Sequence, residues 1–257
     1  MLFLRSLLFN VYLYALTAIL CVLYLPLLVL PGKFMRAGIR FWARGILIGL
    51  RWIVGTRMEI RGKEHIPDKP SLIAFKHQSM WETVVIFLLF DRPAIVVKKE
   101  LSFIPLYGWL VQKAGTILVD RKAHAKALKN MARQAKESLK QNKPVIIFPE
   151  GSRAPPGEMI GYKPGIAALY SSLGVPCVPV ALNSGLYWPR RRFIRRPGTV
   201  IIEFLPPIEP GLKRKQFMAE LEQRIETASE KLFNEGKKEL EDSGVGYSTT
   251  NTDRIKA

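Results

Sequence analysis

A histidine and a carboxylate five positions apart carry the clearest chemistry in this sequence. His77 and Glu82 lie between an apolar segment that predicts a buried strand (71–75) and another that predicts a helix (81–90). Ser79, three residues before Glu82, has the form of a capping box and is expected to be the helix N-cap. His77 then lies in the turn, where its imidazole can fold back onto the carboxylate. A histidine held by a carboxylate is a general-base arrangement. The alternative is that Glu82 only caps the helix and His77 is an ordinary loop residue.

Three other predicted strands also end in residues that could bind a substrate. Lys99 follows the segment 94–97, Arg121 follows 115–119, and the run Pro-Glu-Gly-Ser-Arg at 149–153 follows 145–148. Functional residues of parallel sheets gather at the carboxyl ends of the strands. The sequence therefore predicts a base beside several cationic side chains that could together bind an anion. Each arginine alone could be a surface residue. Guanidinium groups match the oxygens of a phosphate, and a glycine at 151 lets the backbone turn tightly.

These residues are positioned by apolar segments that alternate with helical ones. Apolar strands alternating with helices indicate an α/β fold, in which a largely parallel β-sheet is flanked by helices. The predicted strands are 58–61, 71–75, 94–97, 115–119, 145–148, 178–182 and 199–204, and the longer predicted helices are 124–141 and 215–238.

The N-terminal segment predicts contact with a membrane. Residues 6–30 carry no charge, and as a helix these residues would be about 38 Å long against a hydrocarbon core of about 30 Å. A signal peptide is the alternative, but the apolar run is too long and lacks a cleavage motif. The segment 33–54 places five cations on one face beside aromatic side chains, which favours an interfacial or re-entrant helix over a second span. The excess of Lys and Arg after the first helix predicts that the rest of the chain faces the cytoplasm.

The composition points to an anionic partner. The 257 residues have a formal net charge of +18 and a pI near 10.1, which is typical of proteins that meet a polyanion, an anionic membrane or phosphorylated substrates. Two cysteines do not suggest a disulfide framework, and three histidines leave little material for a His-rich metal site. A loop at 189–197 contains five arginines. It is either solvated or, as we favour, a second contact with a membrane or polyanion.

Four sequence blocks resemble the lysophosphatidic acid acyltransferase (1-acyl-sn-glycerol-3-phosphate acyltransferase) family of glycerolipid acyltransferases. His77-x4-Glu82 is similar to the first block, H-x4-D, with Glu for Asp. Residues 115–121 match G-x-x-F-x-x-R with Leu118 for Phe, and 148–153 match F-P-E-G-T-R with Ser152 for Thr. Residues 175–180 match the apolar, proline-containing fourth block. The resemblance runs from about 57 to 205, and the hydrophobic N-terminal segment is also typical of the family.

The resemblance implies transfer of an acyl group from acyl-CoA or acyl-acyl carrier protein to the sn-2 hydroxyl of lysophosphatidate, which gives phosphatidate. His77 would be the base and Glu82 would orient it. Arg121 and Arg153 would bind the substrate phosphate, with Lys99 as a further candidate. The other predicted site residues would orient the substrate; they are Glu150, Gly151 and Ser152. No cofactor and no metal are expected. The expected partners are a membrane lipid, an anionic membrane surface and the acyl donor.

The predicted organisation has three parts. Residues 1–56 form a membrane helix plus a basic interfacial or re-entrant helix, 57–238 an α/β acyltransferase domain, and 239–257 a flexible polar tail. The acceptor could instead be glycerol 3-phosphate, another lysophospholipid or lyso-ornithine lipid. A basic, membrane-anchored nucleic-acid-binding protein is the alternative from a different class. It is disfavoured because the sequence contains no recognition module and the arginine loop lacks regularly interleaved aromatics.

Overall fold

The computed structural model describes residues 1–104, 107–120 and 124–246. Within them the chain forms seven β-strands and eight α-helices. The strands are β1 (Thr56–Arg61), β2 (Leu72–Phe75), β3 (Ala94–Lys98), β4 (Ile117–Val119), β5 (Val145–Ile147), β6 (Cys177–Leu182) and β7 (Gly198–Phe204). The helices are α1 (Leu2–Leu23), α2 (Gly32–Gly49), α3 (Trp81–Leu89), α4 (Tyr107–Lys113), α5 (His124–Lys140), α6 (Gly165–Leu173), α7 (Ser184–Tyr187) and α8 (Arg214–Asp242). Every predicted strand is present, with bounds that differ by one or two residues.

The strands form one sheet in the order β1-β7-β6-β2-β5-β3-β4. The five strands from β6 to β4 are mutually parallel, whereas β7 runs antiparallel to β6 and parallel to β1. The predicted fold class, a largely parallel sheet flanked by helices, is confirmed. Because β6, β2, β5, β3 and β4 share one direction, their carboxyl ends lie along one edge of the sheet. We call this the catalytic edge.

Two helical layers cover the sheet, because its central strands are apolar on both faces. Every residue of β2 is buried. Ile73 and Phe75 point into a core shared with α1, α2 and α3, while Leu72 and Ala74 point into a second core shared with α5, α6 and α8. Strands buried on both faces read as continuous apolar runs, which explains why the segment lacks the alternation of a half-exposed strand.

The first two helices form an antiparallel hairpin. Tyr12 Oη donates to the carbonyl of Gly45 (2.9 Å), and Tyr24 Oη donates to that of Gly38 (2.8 Å), so α2 returns along α1. The helices approach closely at Gly49, where a Cβ would lie 2.3 Å from Tyr12 Cε1. A π-helical turn at Leu50–Val54 then leads directly into β1.

Helix α1 buries one side against the domain and leaves the rest of its apolar surface exposed. Of the helices that the structure describes, it is the one that is long and apolar enough to cross a membrane. Its exposed apolar residues include Phe3, Leu4, Leu8, Val11, Tyr14, Ile19, Val22 and Leu23. An exposed apolar surface of this extent is typical of a membrane or protein contact. The depth at which α1 and α2 enter a bilayer stays a prediction.

Two of the five arginines in the loop at 189–197 do not have the role that we favoured, contact with a membrane or polyanion. The guanidinium group of Arg195 donates to Asn10 Oδ1 (3.2 Å) and lies 5.0 Å from the ring centroid of Trp188, and its backbone N–H donates to Ser6 Oγ (2.9 Å). Arg195 and Arg196 are only 7% and 6% exposed. The interpretation of the whole loop as a membrane or polyanion contact is therefore wrong for these two residues. Arg195 attaches α1 to the domain, and the guanidinium group of Arg196 donates to the carbonyl of Leu186 (3.2 Å).

The predicted start of the polar tail is also corrected. Helix α8 continues to Asp242, because Glu239 accepts hydrogen bonds from Tyr187 Oη (2.5 Å) and Thr199 N (2.8 Å) and Leu240 is fully buried. These long-range contacts offset the weak apolar pattern that ended the helix at 238 in the prediction. The remainder of the predicted tail, 247–257, lies outside the described residues.

Candidate active site

The predicted contact between His77 and Glu82 is present at the catalytic edge. His77 Nδ1 lies 2.8 Å from Glu82 Oε1, and the imidazole stacks on the ring of Phe148 with centroids 4.1 Å apart. A carboxylate only accepts hydrogen bonds, so Nδ1 carries the proton and Nε2 is left as the basic nitrogen. The His77 side chain is 16% exposed and that of Glu82 is fully buried, so solvent reaches the imidazole alone.

Glu82 also organises the start of α3. Its Oε1 accepts hydrogen bonds from the backbone N–H groups of Gln78 (2.7 Å) and Ser79 (2.6 Å). The helix begins at Trp81, two residues after Ser79, whose Oγ accepts a hydrogen bond from Trp81 N (3.1 Å). Ser79 therefore helps to satisfy the first turn without being the N-cap, which is Met80. One carboxylate oxygen thus joins the histidine, the turn and the helix.

The loop after β5 holds the main chain of His77 from both sides. Glu150 Oε1 accepts a hydrogen bond from His77 N (3.1 Å), and Ala154 N donates to His77 O (2.7 Å). Gly151 has a φ of +69°, which glycine adopts without strain, and this turn allows the loop to pass beneath the histidine. Glu150 is only 1% exposed. It therefore lies below the site and not on the accessible surface where we expected it to orient a substrate.

A buried charged cluster lies directly behind the histidine. Lys76 Nζ is 2.6 Å from both carboxylate oxygens of Glu226 on α8 and 3.6 Å from Glu150 Oε1, and Tyr162 Oη donates to Glu226 Oε1 (2.8 Å). Burial raises the pKa of the Glu150 carboxyl to about 7, although the charge of Lys76 and the hydrogen bond from His77 N oppose this shift. Burying a charge is costly unless it is paired, and the Lys76–Glu226 contact supplies the pairing.

Arg153 lies half-buried beside the histidine–carboxylate pair. Among the residues that the structure describes, none accepts a hydrogen bond from its guanidinium group. Burial lowers the pKa of Arg153, the nearby charges of Arg190 and Arg191 lower it further, and the charge of Glu82 acts in the opposite direction. Ser152 is partly exposed next to it. A guanidinium group in this setting can bind an anion, and no described residue accepts a hydrogen bond from it.

The remaining predicted cations lie farther along the catalytic edge. Lys99 follows β3, two strands away from β2, which corresponds to about 10 Å across the sheet. Its Nζ lies 3.4 Å from Asp120 Oδ2, at the end of the neighbouring strand β4. Lys99 is thus paired and exposed, in contrast to Arg153. Arg121 lies outside the described residues. A cluster of three or more potential metal-binding side chains is not found among the residues described.

The turn after β6 is part of the site and was missed from the sequence. Ser184 Oγ donates to Glu82 Oε2 (2.8 Å), and Gly185 N donates to Gln78 Oε1 (3.1 Å). The run Asn-Ser-Gly at 183–185 follows an apolar strand, as the other site segments do. That position at a strand end was the available signal, but the fourth block was interpreted only as an apolar strand.

Comparisons with known proteins show the family to which the chain belongs. A family model described as "Acyltransferase" matches residues 57–183. The chain is 38% identical to the 1-acyl-sn-glycerol-3-phosphate acyltransferase of Pseudomonas aeruginosa over 206 residues, which cover 79% of this chain and 80% of that protein. It is 31% identical to the mouse 1-acyl-sn-glycerol-3-phosphate acyltransferase alpha over 64% of this chain and 59% of that protein. The fold is similar to the crystal structure of the 1-acyl-sn-glycerophosphate (LPA) acyltransferase PlsC from Thermotoga maritima, with a TM-score of 0.75 at 24% identity over 90% of this chain and 98% of that one.

Proposed function

The chain belongs to the 1-acyl-sn-glycerol-3-phosphate acyltransferase family, and we propose that it transfers a fatty acyl group from an acyl thioester to the sn-2 hydroxyl of 1-acyl-sn-glycerol 3-phosphate, making phosphatidic acid. The observation that carries the proposal is the part-buried hydrogen bond between His77 and Glu82, beside an arginine whose guanidinium group makes no hydrogen bond to a described residue. The pair offers a base for a hydroxyl, and the arginine offers a site for a phosphate.

His77 would act as the general base. Its Nε2 takes the proton of the acceptor hydroxyl as the hydroxyl oxygen attacks the thioester carbonyl carbon. The C–S bond then breaks, and the proton passes to the leaving thiolate, so the reaction forms an ester and a free thiol. Glu82 holds Nδ1 at 2.8 Å and stabilises the imidazolium that forms. A positioned base contributes about 10²–10⁴-fold, and orientation and stabilisation of the oxyanion supply the rest.

The substrate phosphate would bind Arg153, which is half-buried next to the base. Its position favours a charge-assisted, forked contact with phosphate oxygens. Arg121 and Lys99 remain further candidates, with Lys99 weakened by its contact with Asp120. Glu150 and Gly151 would act indirectly, by holding the backbone of His77, and Ser152 would lie at the substrate side of the loop.

The hairpin of α1 and α2 would bring the catalytic edge to the lipid surface, with the α/β domain on the cytoplasmic face. The exposed apolar face of α1 and the cations of α2 support this placement. The donor would be acyl-CoA or acyl-acyl carrier protein, and both are anionic enough to suit a chain with a net charge of +18.

The proposal is tested by acyl transfer with purified enzyme in detergent or vesicles. We expect wild-type protein to acylate lysophosphatidate and His77→Ala to lose activity by at least about 100-fold. His65→Ala is a matched control, because His65 lies 3.9 Å from the exposed carboxylate of Glu64 and takes no part in the site. Near-wild-type activity of His77→Ala would show that His77 is not the general base. Acylation of glycerol 3-phosphate or lyso-ornithine lipid in place of lysophosphatidate would show that the proposed acceptor is wrong.

A further inference from the structure

The two oxygens of the Glu82 carboxylate are bound very unequally. Oε1 accepts three hydrogen bonds, from His77 Nδ1 and from two backbone N–H groups. Oε2 accepts one, from Ser184 Oγ at 2.8 Å. Ser184 and Glu82 are 0% and 1% exposed, so water does not replace this donor. In the described part of the chain, Ser184 is therefore the group that fixes the rotation of the carboxylate about its last bond.

Ser184 is itself held in place by the sheet and by α8. The preceding Asn183 accepts a hydrogen bond from Ile201 N of β7 (2.8 Å) and donates to the carbonyl of Leu232 on α8 (3.3 Å). The following Gly185 packs so closely that a Cβ would lie 2.8 Å from Pro156 Cγ. These contacts hold the turn against β7 and α8, and the hydrogen bond from Gly185 N to Gln78 Oε1 (3.1 Å) joins it to the segment that precedes α3. The hydroxyl of Ser184 is thus presented at a set distance from residue 82.

We propose that Ser184 is a positioning residue for the proposed base, and that the turn at 183–185 is matched to a glutamate at position 82. An aspartate is shorter by one methylene, about 1.5 Å, so its carboxylate cannot keep the contacts with both His77 and Ser184. The inference rests on the proposed function, because it concerns how Glu82 orients His77 for proton transfer.

Loss of the Ser184 hydroxyl should change catalysis more than folding. Without it, Oε2 is buried with no donor and the carboxylate can rotate, which loosens the hydrogen bond to Nδ1. We expect kcat/KM of Ser184→Ala to fall about 10-fold, the size typical of a lost hydrogen bond to a charged group. The changed position and hydrogen bonding of the carboxylate should also move the acidic limb of the kcat/KM profile, which reports the essential base. The other charged groups beside the pair, Arg153 and Glu150, are unchanged in this variant.

The experiment compares Ser184→Ala, Glu82→Asp and the double variant in acyl transfer to lysophosphatidate across pH 5–9. Glu82→Asp should lose the Ser184 contact by itself, so we expect the double variant to be within about 2-fold of Glu82→Asp. Ser229→Ala is the matched control, because Ser229 is 4% exposed and its Oγ has no hydrogen-bond partner in the described part of the chain. It should match the wild type in rate and pH profile. Thermal unfolding of each variant measures the folded fraction, and Ser184→Cys, which keeps a weak donor, replaces Ser184→Ala if that protein does not fold.

Three results would overturn the inference. The first is a double variant whose loss in kcat/KM equals the product of the losses of the two single variants, because the two residues would then act independently. The second is a Ser184→Ala rate within 2-fold of Ser229→Ala. The third is a loss of rate that equals the loss of folded protein and leaves the pH profile unmoved, which assigns a structural role. Wild-type protein and Ser229→Ala that fail to acylate lysophosphatidate would instead contradict the proposed function.

Discussion

Replacing Glu226 with glutamine leaves a fully buried lysine without its main counter-charge. The side chain of Lys76 is 1% exposed, and its Nζ lies 2.6 Å from both oxygens of Glu226. Glutamine keeps the size of the side chain and an oxygen for Tyr162, so the substitution removes mainly the charge. Breaking a buried ion pair from one side costs about 3–5 kcal/mol. Glu226 is 18% exposed and Glu150 remains 3.6 Å from Nζ, so we expect about 3 kcal/mol.

For a chain of this size, 1 kcal/mol shifts Tm by about 2–4 °C. Glu226→Gln should therefore lower the Tm of detergent-solubilised protein at pH 8 by about 6–12 °C. Tryptophan fluorescence can follow the unfolding, since the chain has five tryptophans, and one scan rate must be used throughout in case the unfolding is irreversible.

Two further variants separate the buried pair from ion pairs in general. Glu241→Gln removes the partner of Lys237 in an exposed pair (3.7 Å), and it should shift the free energy of unfolding by less than about 0.5 kcal/mol. Lys76→Met combined with Glu226→Leu removes both buried charges and should recover at least half of the loss. Glu226→Gln as stable as Glu241→Gln would refute the reasoning, and so would a double variant less stable than Glu226→Gln.

Three other predictions concern the buried carboxyl of Glu150, the binding of the substrate phosphate and the helical hairpin. Burial raises the pKa of Glu150 to about 7 from 4.5, so the folded state holds its proton more tightly. Wild-type stability should fall by about 3 kcal/mol between pH 4.5 and 7 relative to Glu150→Gln in thermal unfolding, and parallel pH curves would contradict this. Arg153→Ala should lower kcat/KM for lysophosphatidate about 100-fold and that for phosphate-free monoacylglycerol little; equal losses would exclude a phosphate contact. Gly49→Ala should destabilise the protein by about 1–3 kcal/mol, because its Cβ would meet the Tyr12 ring at 2.3 Å. Gly161→Ala, where a Cβ meets nothing within 4 Å, should leave Tm nearly unchanged.

Much of the architecture is encoded in short segments, which is why it could be predicted. Most strands are apolar runs bounded by breakers, and α8 places Phe217, Leu221, Ile225 and Leu232 on its buried side as its periodicity predicts. The contact between His77 and Glu82 was equally accessible, because it spans five residues and a helix start. Local geometry therefore indicates which two side chains meet, although distant segments hold both of them in place.

Other features depend on residues that are distant in the sequence. The loop with five arginines has the composition of a solvated segment. Arg195 is nevertheless buried, because it packs against Asn10 of α1, which is 185 residues earlier in the chain. Glu150 is part of a recognisable block, but its inward direction follows from its buried partner Lys76, which comes directly after the adjacent strand β2. No local pattern encodes either outcome.

The sequence by itself determined the proposed base, its carboxylate and the strand ends that bring cations to one edge of the sheet. These follow from chain periodicity and from residues within one turn of each other. Only the tertiary structure decided what supports them, since Ser184 and Glu226 reach the site from α7 and α8, 102 and 150 residues from their partners. The physical reason is that a buried carboxylate or ammonium group must be paired, and packing of the whole domain decides which group is near enough to do so.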